Sequence, residues 1–524
     1  MSARQIRAAR AGQAGRHAYL GNGEWKGALF GLATALVAGT GMAEPRFEDR
    51  SATLPAHVYS GGWAHFVGGG VAVFDCDGDA RPDIFAAGGE ARATLMRNRG
   101  DFVFETAPLP DLTGVTGAYP LDADADGHPD LFVMRAGPNR LLRGRGDCRF
   151  EDATDAMGLP PGEGWTTAFT AWWEDDARPV MAVGNYVDRD DPDGPFEACD
   201  DNAILRPEGR RWQAGPLEPG FCALSMLAAR DARGRPSLRI SNDRHYYVRG
   251  GYEQMWDIGE RRFLGADDGW PAVSLWGMGI ASRDLTGDGR DEVMLTSMGD
   301  QLLQLAQPDG SYAAAPFSIG SYAQRPHTGD DGRPSTGWHA EFGDIDNDGR
   351  ADLFIAKGNV DQMPSNAMRD PNNLLMQQTD GRFAEASVEA GIATTERSRG
   401  AALADFDGDG RLDLVVVNRR APMELWRNVT AGTGHWIGID LAQPGGNRDA
   451  IGAVVTVETD AGRQVVQRTI GGGHAGGRLG PLHVGLGAAR AARVTVEWPD
   501  GSVTGPHEVE IDRVVTLDRA ALPG

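Results

Sequence analysis

The sequence predicts an all-β protein, a seven-bladed β-propeller followed by a small C-terminal β-sandwich. Three observations carry that expectation. A nine-residue acidic pattern recurs along the chain between short apolar runs. Gly (73 of 524 residues) and Pro (30) interrupt the chain too often for long helices, without the low complexity of a disordered chain. From Thr433 onward the acidic pattern is absent and period-two apolar alternation replaces it.

The first element, residues 1–43, reads as a signal peptide. Arg4, Arg7, Arg10, Arg16 and Lys26 precede a weakly apolar run, 27–43, that ends in small residues at Ala43. The run is short for a membrane span, so the mature chain is expected to be periplasmic or extracellular, with no span left after cleavage. That compartment permits disulfides. Cys199 and Cys222, 23 residues apart, are the expected pair, which leaves Cys76 and Cys148 as a second bridge or as two thiols. No C-x-x-C pair exists, so a zinc ribbon is excluded. The formal charge of −23 argues against nucleic acid as a partner, because a phosphate backbone needs a basic face.

The propeller is expected over residues 44–431. Its repeat is D-x-D-x-D-G-x-x-D, seen at Asp75-x-Asp77-x-Asp79-x-x-x-Asp83 and Asp122-x-Asp124-x-Asp126-Gly127-x-x-Asp130. It returns at Asp344-x-Asp346-x-Asp348-Gly349-x-x-Asp352 and Asp405-x-Asp407-x-Asp409-Gly410-x-x-Asp413. A worn fifth copy reads Asp284-x-Thr286-x-Asp288-Gly289-x-x-Glu292. Carboxylates at alternate positions of a tight turn can curl around one cation, and Gly at position six permits the left-handed backbone that closes the curl. Oxygen-only ligation suits Ca²⁺, with the acid at position nine completing the cage. A solvated acidic turn would explain one copy, not five with matching flanks. An EF-hand would need a bidentate Glu at position twelve and helices on both sides. Here the flanks are strand-like, as in Val71–Phe74 and Leu414–Val417, so each motif joins two strands of a hairpin.

Two acid-poor copies, around 172–184 and 229–241, fill the gap between the motif at 122 and the worn copy at 284 and are expected to hold no ion. With them the units begin at 75, 122, 172, 229, 284, 344 and 405, and seven hairpin-centred units of this size read as propeller blades. These motifs resemble the FG-GAP (VCBS-type) repeats of the integrin-α-like propeller, which implies Ca²⁺ in the blade loops. The last segment resembles the ASPIC/UnbV domain through Asn447–Val457, Leu482–Gly487 and Val494–Gly501. Together they are similar to bacterial homologues of cartilage acidic protein. The chain departs from the family pattern in its two acid-poor blades and in the run Gly471-Gly-Gly-His474-Ala-Gly-Gly477.

The sandwich is expected over 432–524, from alternating strands at 436–441, 454–458, 464–467, 494–498 and 514–517. Gly471-x-Gly473-x-x-Gly476 satisfies the dinucleotide pattern, but strands rather than a helix surround it, and the motif is rejected.

If the acidic loops occupy one face of the disc, residues just before strand one and just after strand two share the other. His65, Trp338, His339 and Arg399 fall in the first set, and Asn242, Asp243, Arg244 and His245 in the second. In so acidic a chain this mixture of aromatic and basic groups is the candidate ligand face, for an extracellular glycan or protein. The resulting expectation is an exported, calcium-binding adhesion scaffold. The alternative is a calcium-dependent lyase or hydrolase acting on carbohydrate, with His245 or His339 as base and Arg244 or Arg399 neutralising charge. No nucleophile elbow, zincin helix or phosphate loop is present, and Lys26 and Lys357 are the only lysines.

Overall fold

The structure, a computed structural model, describes residues 43–175, 178–243, 250–299, 301–322 and 333–522. The expected signal peptide, Ala43 apart, lies outside the described residues, as do Arg244 and His245. Among the described residues no helix is long and apolar enough to cross a membrane.

Among the described residues seven antiparallel sheets of the propeller type follow one another along the chain. Blade 1 runs from Val71–Phe74 through Asp83–Ala86 and Thr94–Asn98 to Phe104–Ala107. Blade 2 begins at Val115–Leu121, blade 3 at Thr166–Trp172, blade 4 at Ala223–Arg230, blade 5 at Gly277–Arg283 and blade 6 at Gly337–Gly343. Blade 7 takes Ser398–Ala404, Asp413–Asn418 and Glu424–Asn428 from the end of the ring and its fourth strand, Phe47–Asp49, from the beginning. The pairing Phe47↔Asn428 to Asp49↔Trp426 therefore closes the circle through backbone hydrogen bonds. The two acid-poor units are blades 3 and 4, with first hairpins Thr166–Trp172/Val180–Asn185 and Ala223–Arg230/Pro236–Asn242.

The cores lie between successive blades. Met294 and Leu303 of blade 5 pack in one cluster with Leu353 and Ile355 of blade 6. Ile84 of blade 1 clusters with Leu131 of blade 2 and with Val415 of blade 7, so the last blade packs on the first. Both faces of each sheet are covered, which is why inner strands read as unbroken apolar runs such as Leu414-Val-Val-Val417. Cys199–Cys222 forms a disulfide, and Cys76–Cys148 forms a second that ties the first acidic turn to blade 2.

The C-terminal unit is a sandwich of two sheets. His435–Ala442 lies between Leu482–Gly487 and Val514–Asp518, and the facing sheet runs Arg463–Gln467, Val454–Glu458, Ala492–Glu497, Val503–Val509. Ile437, Ile439, Val455, Val494 and Trp498 fill the space between them. Val503–Val509 was not expected from the sequence, because Gly505 and Pro506 interrupt its alternation.

The glycine run that departs from the family pattern enters the propeller axis. Ile470–Leu479 makes bridges to the innermost strands of blades 1 to 5, through Val73, Ala118, Ala171, Leu227 and Ile280. Gly472 N–H donates to Met226 O at 2.7 Å, Gly473 N–H to Ile280 O at 2.7 Å, and Val73 N–H to Gly477 O at 3.1 Å. The Tyr119 hydroxyl donates to Gly472 O at 2.9 Å. Backbone meets backbone so closely that side chains are excluded. A methyl group on Gly70 would fall 1.8 Å from Ala475 O, one on Gly117 would fall 1.7 Å from it, and one on Gly476 would fall 2.1 Å from Val71 O.

Gly70→Ala or Gly117→Ala is expected to loosen this segment, lowering stability by about 3 kcal/mol or more and opening the 470–479 segment to protease. Gly480→Ala, where a methyl group would meet nothing within 4 Å, is expected to change stability by no more than ~0.5 kcal/mol. Thermal melts and limited proteolysis of the three variants check the difference.

Candidate metal centres and an interdomain cleft

Each acidic loop joins the first and second strands of its blade. The position-one carboxylate organises the turn. Gly78 N–H donates to Asp75 Oδ1 and Ala80 N–H to Asp75 Oδ2, both at 2.8 Å. Asp122, Asp284, Asp344 and Asp405 accept the same way from the loops that follow them. Position six has positive φ in every loop: Ala80 (64°), Gly127 (88°), Gly289 (85°), Gly349 (92°) and Gly410 (85°). Position four is left-handed too, at Gly78, Ala125, Gly287, Asn347 and Gly408, a second requirement that the sequence reading did not draw out.

The position-nine acid ties strands together as well as facing the loop. Asp83 Oδ2 accepts from Cys76 N–H and Oδ1 from Asn98 N–H on strand three, both at 2.8 Å. Asp130, Asp352 and Asp413 repeat this clamp. Glu292 of the worn copy holds Leu285 N–H at 2.9 Å. Burial pushes these carboxyls up, Asp83 to about 7, Asp130 to about 8 and Glu292 to about 7, with Asp352 and Asp413 well above the usual range.

Four loops bring three acids together within 4.8 Å: Asp75, Asp77 and Asp83; Asp122, Asp124 and Asp130; Asp344, Asp346 and Asp348; Asp405, Asp407 and Asp413. Asp284, Thr286, Asp288 and Glu292 do not converge in this way. Asp79, Asp126, Asp352 and Asp409 stand at the margins of their sets. An arginine on strand three pairs with the position-three acid in three loops, Arg97 with Asp77, Arg143 with Asp124 at 2.6 Å and Arg427 with Asp407 at 2.7 Å. These arginines lie 19 or 20 residues beyond their acids in the sequence, a spacing that could have revealed them. The other oxygens, Asp124 Oδ1 and Asp407 Oδ1, are buried without a hydrogen-bond partner, as are both oxygens of Asp346. Carboxylates converging at four hairpin turns, three of them with a buried oxygen that has no partner, fit a hard, oxygen-seeking cation. In blade 4 Arg235 instead pairs with Asp231 at 2.9 Å, and a guanidinium fills the equivalent turn.

The expected ligand face requires correction, because its described residues are interior. Arg399 is fully buried, donates to Phe66 O at 3.1 Å, Ser398 O at 3.0 Å and Asn359 O at 3.1 Å, and lies 4.0 Å over Trp338. Trp338 is itself buried and donates to Gly358 O at 2.7 Å. Asn242 holds Tyr252 O and Gln254, and Asp243 accepts from the Tyr186 hydroxyl at 2.7 Å. His65 is 5 % exposed. His339 Nδ1 accepts from His474 N–H at 3.1 Å, and its Nε2 lies 3.4 Å from Glu341. The 470–479 segment fills the axis, and these groups are buried against backbone and neighbouring side chains instead of facing solvent.

The large open space lies on the acidic side. A cleft of about 960 Å³ separates the loops of blades 1, 2 and 7 from the sandwich. Asp75, Asp77, His128 and Asp405 line one wall, and Trp436, Asp440, Arg513 and Thr516 the other. Trp436 stacks on His483 with centroids 5.7 Å apart.

Comparison with known proteins agrees with this anatomy. The FG-GAP-like repeat family matches residues 75–133, 284–355 and 364–416, and the ASPIC and UnbV family matches 443–522. Cartilage acidic protein 1 of Mus musculus and of Homo sapiens are each 27% identical over 164 residues, 30% of this chain and 25% and 24% of theirs. The match thus spans about a quarter of those relatives. Among solved structures, BBS1N in complex with ARL6DN aligns over 72% of this chain and 96% of its own, at 10% identity and TM-score 0.44. YCF48 bound to D1 peptide aligns over 74% and 97%, at 10% identity and TM-score 0.42. A lectin of Agrocybe aegerita that recognises non-reducing terminal N-acetylglucosamine aligns over 69% and 94%, at 15% identity and TM-score 0.37.

His474 makes the axis sensitive to acid. Burial, with Arg399 and His339 nearby, pushes its imidazole down to about 3. Its Nε2 accepts from Gly68 N–H at 3.3 Å, which requires the neutral ring. The stability this provides is present above the unfolded value near 6.5 and is lost as pH falls from there toward 3, where the unfolded chain takes up the proton first. Denaturant titrations between pH 4 and 7 are expected to give a smaller loss of stability with acid for His474→Gln than for the wild type.

Proposed function

We propose that the protein is an exported, calcium-loaded binding scaffold whose ligand, a glycan or a protein of the cell exterior, occupies the cleft between the acidic loops and the sandwich. The FG-GAP-like repeats and the ASPIC and UnbV domain make a binding scaffold the natural reading of the fold. Four carboxylate clusters, three of them with a buried oxygen that has no partner, support the ions. The observation that carries the site is the cleft itself, about 960 Å³ and bounded by both domains. That volume suits a small glycan or a peptide segment. Its walls offer the Trp436 indole amid imidazole, hydroxyl, guanidinium and carboxylate groups, which is the mixture that recognises polar ligands. Ions in the loops of blades 1 and 7 would lower the negative charge along one wall.

Calcium binds only the folded loops, so saturation at a hundred times Kd is expected to stabilise by about 2.7 kcal/mol per independent site. Excess chelator is expected to lower the melting temperature and added Ca²⁺ to restore it, as differential scanning calorimetry would measure.

The ligand site is tested by screening the calcium-loaded protein against glycan and surface-protein arrays. Thr516→Trp, which fills the cleft, and Arg513→Ala are expected to abolish the strongest signal. Trp63→Ala, which removes an indole 46 % exposed on the opposite face, is expected to leave it unchanged. Binding that survives the first two variants and fails with the third would assign the ligand to the opposite face.

A further inference from the structure

The blade 6 loop differs from its relatives in burial, charge and contacts. Asp344, Asp346 and Asp352 are each no more than 3 % exposed, and both oxygens of Asp346 are buried without a hydrogen-bond partner. The strand-three position that supplies Arg97, Arg143 and Arg427 elsewhere is Met376 here. Arg350, within the loop, pairs with Asp348. The position-three acid of blade 6 therefore has no guanidinium on either oxygen, in the most deeply buried of the loops. A buried carboxylate in that state is strongly unfavourable unless a cation meets it.

The sandwich covers this same loop. Gly434 N–H donates to Asp346 O at 2.9 Å and Gly487 N–H to Asn347 O at 2.8 Å. Asn347 Nδ2 donates to Gly410 O at 2.9 Å, so its Oδ1 is the acceptor for His483 Nε2 at 2.7 Å. A methyl group on Gly485 would fall 2.0 Å from Asp344 Oδ2. Two of these contacts are backbone to backbone and one sets the Gly485 backbone against the Asp344 carboxylate, so the sandwich cannot shift here without disturbing the curl of carboxylates.

We propose that blade 6 holds a divalent cation unlike those of the other loops, the most tightly kept of the set, and that this ion latches the sandwich and its axial segment to the propeller. The inference rests on the reading of the acidic loops as cation cages and adds that the cages are unequal. Coupling is reciprocal: a docked sandwich slows loss of the ion, and the ion favours docking. Blades 1, 2 and 7 carry an internal cation that partly replaces the metal, so their ions leave without releasing the sandwich.

The test uses the full chain with Ca²⁺ as the only ligand. After mixing with excess fluorescent chelator, one equivalent is expected to leave at least about tenfold more slowly than the rest. The Gly472 and Gly473 amides, which donate to Met226 and Ile280, are expected to begin exchanging with deuterium as that equivalent departs. Asp346→Asn is expected to abolish the slow equivalent and expose those amides even in Ca²⁺, whereas Asp407→Asn loses a fast equivalent and leaves them protected. Should Asp346→Asn fail to fold, His483→Gln keeps every loop acid and is expected to accelerate the slow phase at unchanged stoichiometry. A slow equivalent that survives Asp346→Asn, or a rate untouched by His483→Gln, overturns the latch, as do axial amides that stay protected after all calcium has gone. Calcium that binds and leaves in one phase sinks the latch alone, while a chain that binds no calcium sinks the underlying reading of the loops as well.

Discussion

The structure depends on a backbone segment with almost no side-chain bulk lying along the axis of a closed ring. A propeller leaves the innermost edge of every sheet unpaired, and unpaired N–H and C=O groups must find partners in water or in protein. Here the protein supplies them. Ile470–Leu479 answers five of the inner strands with main-chain contacts, and His474 and Ala475 reach across to Gly68 and to the space beside Gly70 and Gly117. Glycine on both sides of the contact is the condition for it, because a single Cβ would collide with a carbonyl oxygen. The sandwich is thereby built into the propeller and is not merely linked to its end.

A second constraint follows from where the acids sit. Position nine is buried at the crossing of three strands, accepting one N–H from its own loop and another from strand three. Replacing such a carboxylate removes two hydrogen bonds from the blade in addition to an acid of the proposed cation cage, so any loss of metal affinity and loss of fold would be entangled at this position. Position three is the cleaner reporter of cation binding. Its oxygens point into the curl, and the chain has chosen blade by blade between a guanidinium partner and none. The worn loop at Asp284 marks an intermediate stage, keeping the turn and the position-nine bond to its own loop while its acids no longer converge.

The ring was legible in the sequence because its signal is local. Nine residues carry the turn, its acids and its left-handed glycine, and even the worn units at 172 and 229 keep the strand-turn-strand rhythm. What lay beyond reach was non-local. Phe47–Asp49 closes blade 7 with three residues that belong to no repeat, across more than 370 positions of sequence. Gly471–Gly477 looked like a faulty nucleotide motif because its partners lie in five separate blades. Arg399 and Trp338 were assigned to an open face since sequence position gives the side of the disc but not the depth. An arginine in an acidic chain suggests a ligand, whereas the carbonyl oxygens of Phe66, Ser398, Asn359 and Val360 and an indole can hold it equally well.

Depth also decides where a ligand can act on this molecule. On the face opposite the acidic loops, Trp338 and Arg399 are buried against backbone, while Trp63 and Phe196 are exposed among the described residues. On the acidic side the sandwich hydrogen-bonds the backbone of the blade 6 loop, sets Trp436 against Gly410 of blade 7 and Arg448 beside Gly127 of blade 2, and leaves the cleft between these contacts. These contacts and the cleft are therefore two consequences of one docking geometry. A force that held the sandwich more firmly against blade 6 would fix the width of the cleft, and a ligand that bridged the cleft would in turn strain or secure that contact. The proposed ion at blade 6 and the proposed ligand in the cleft would then be linked through the sandwich that touches both.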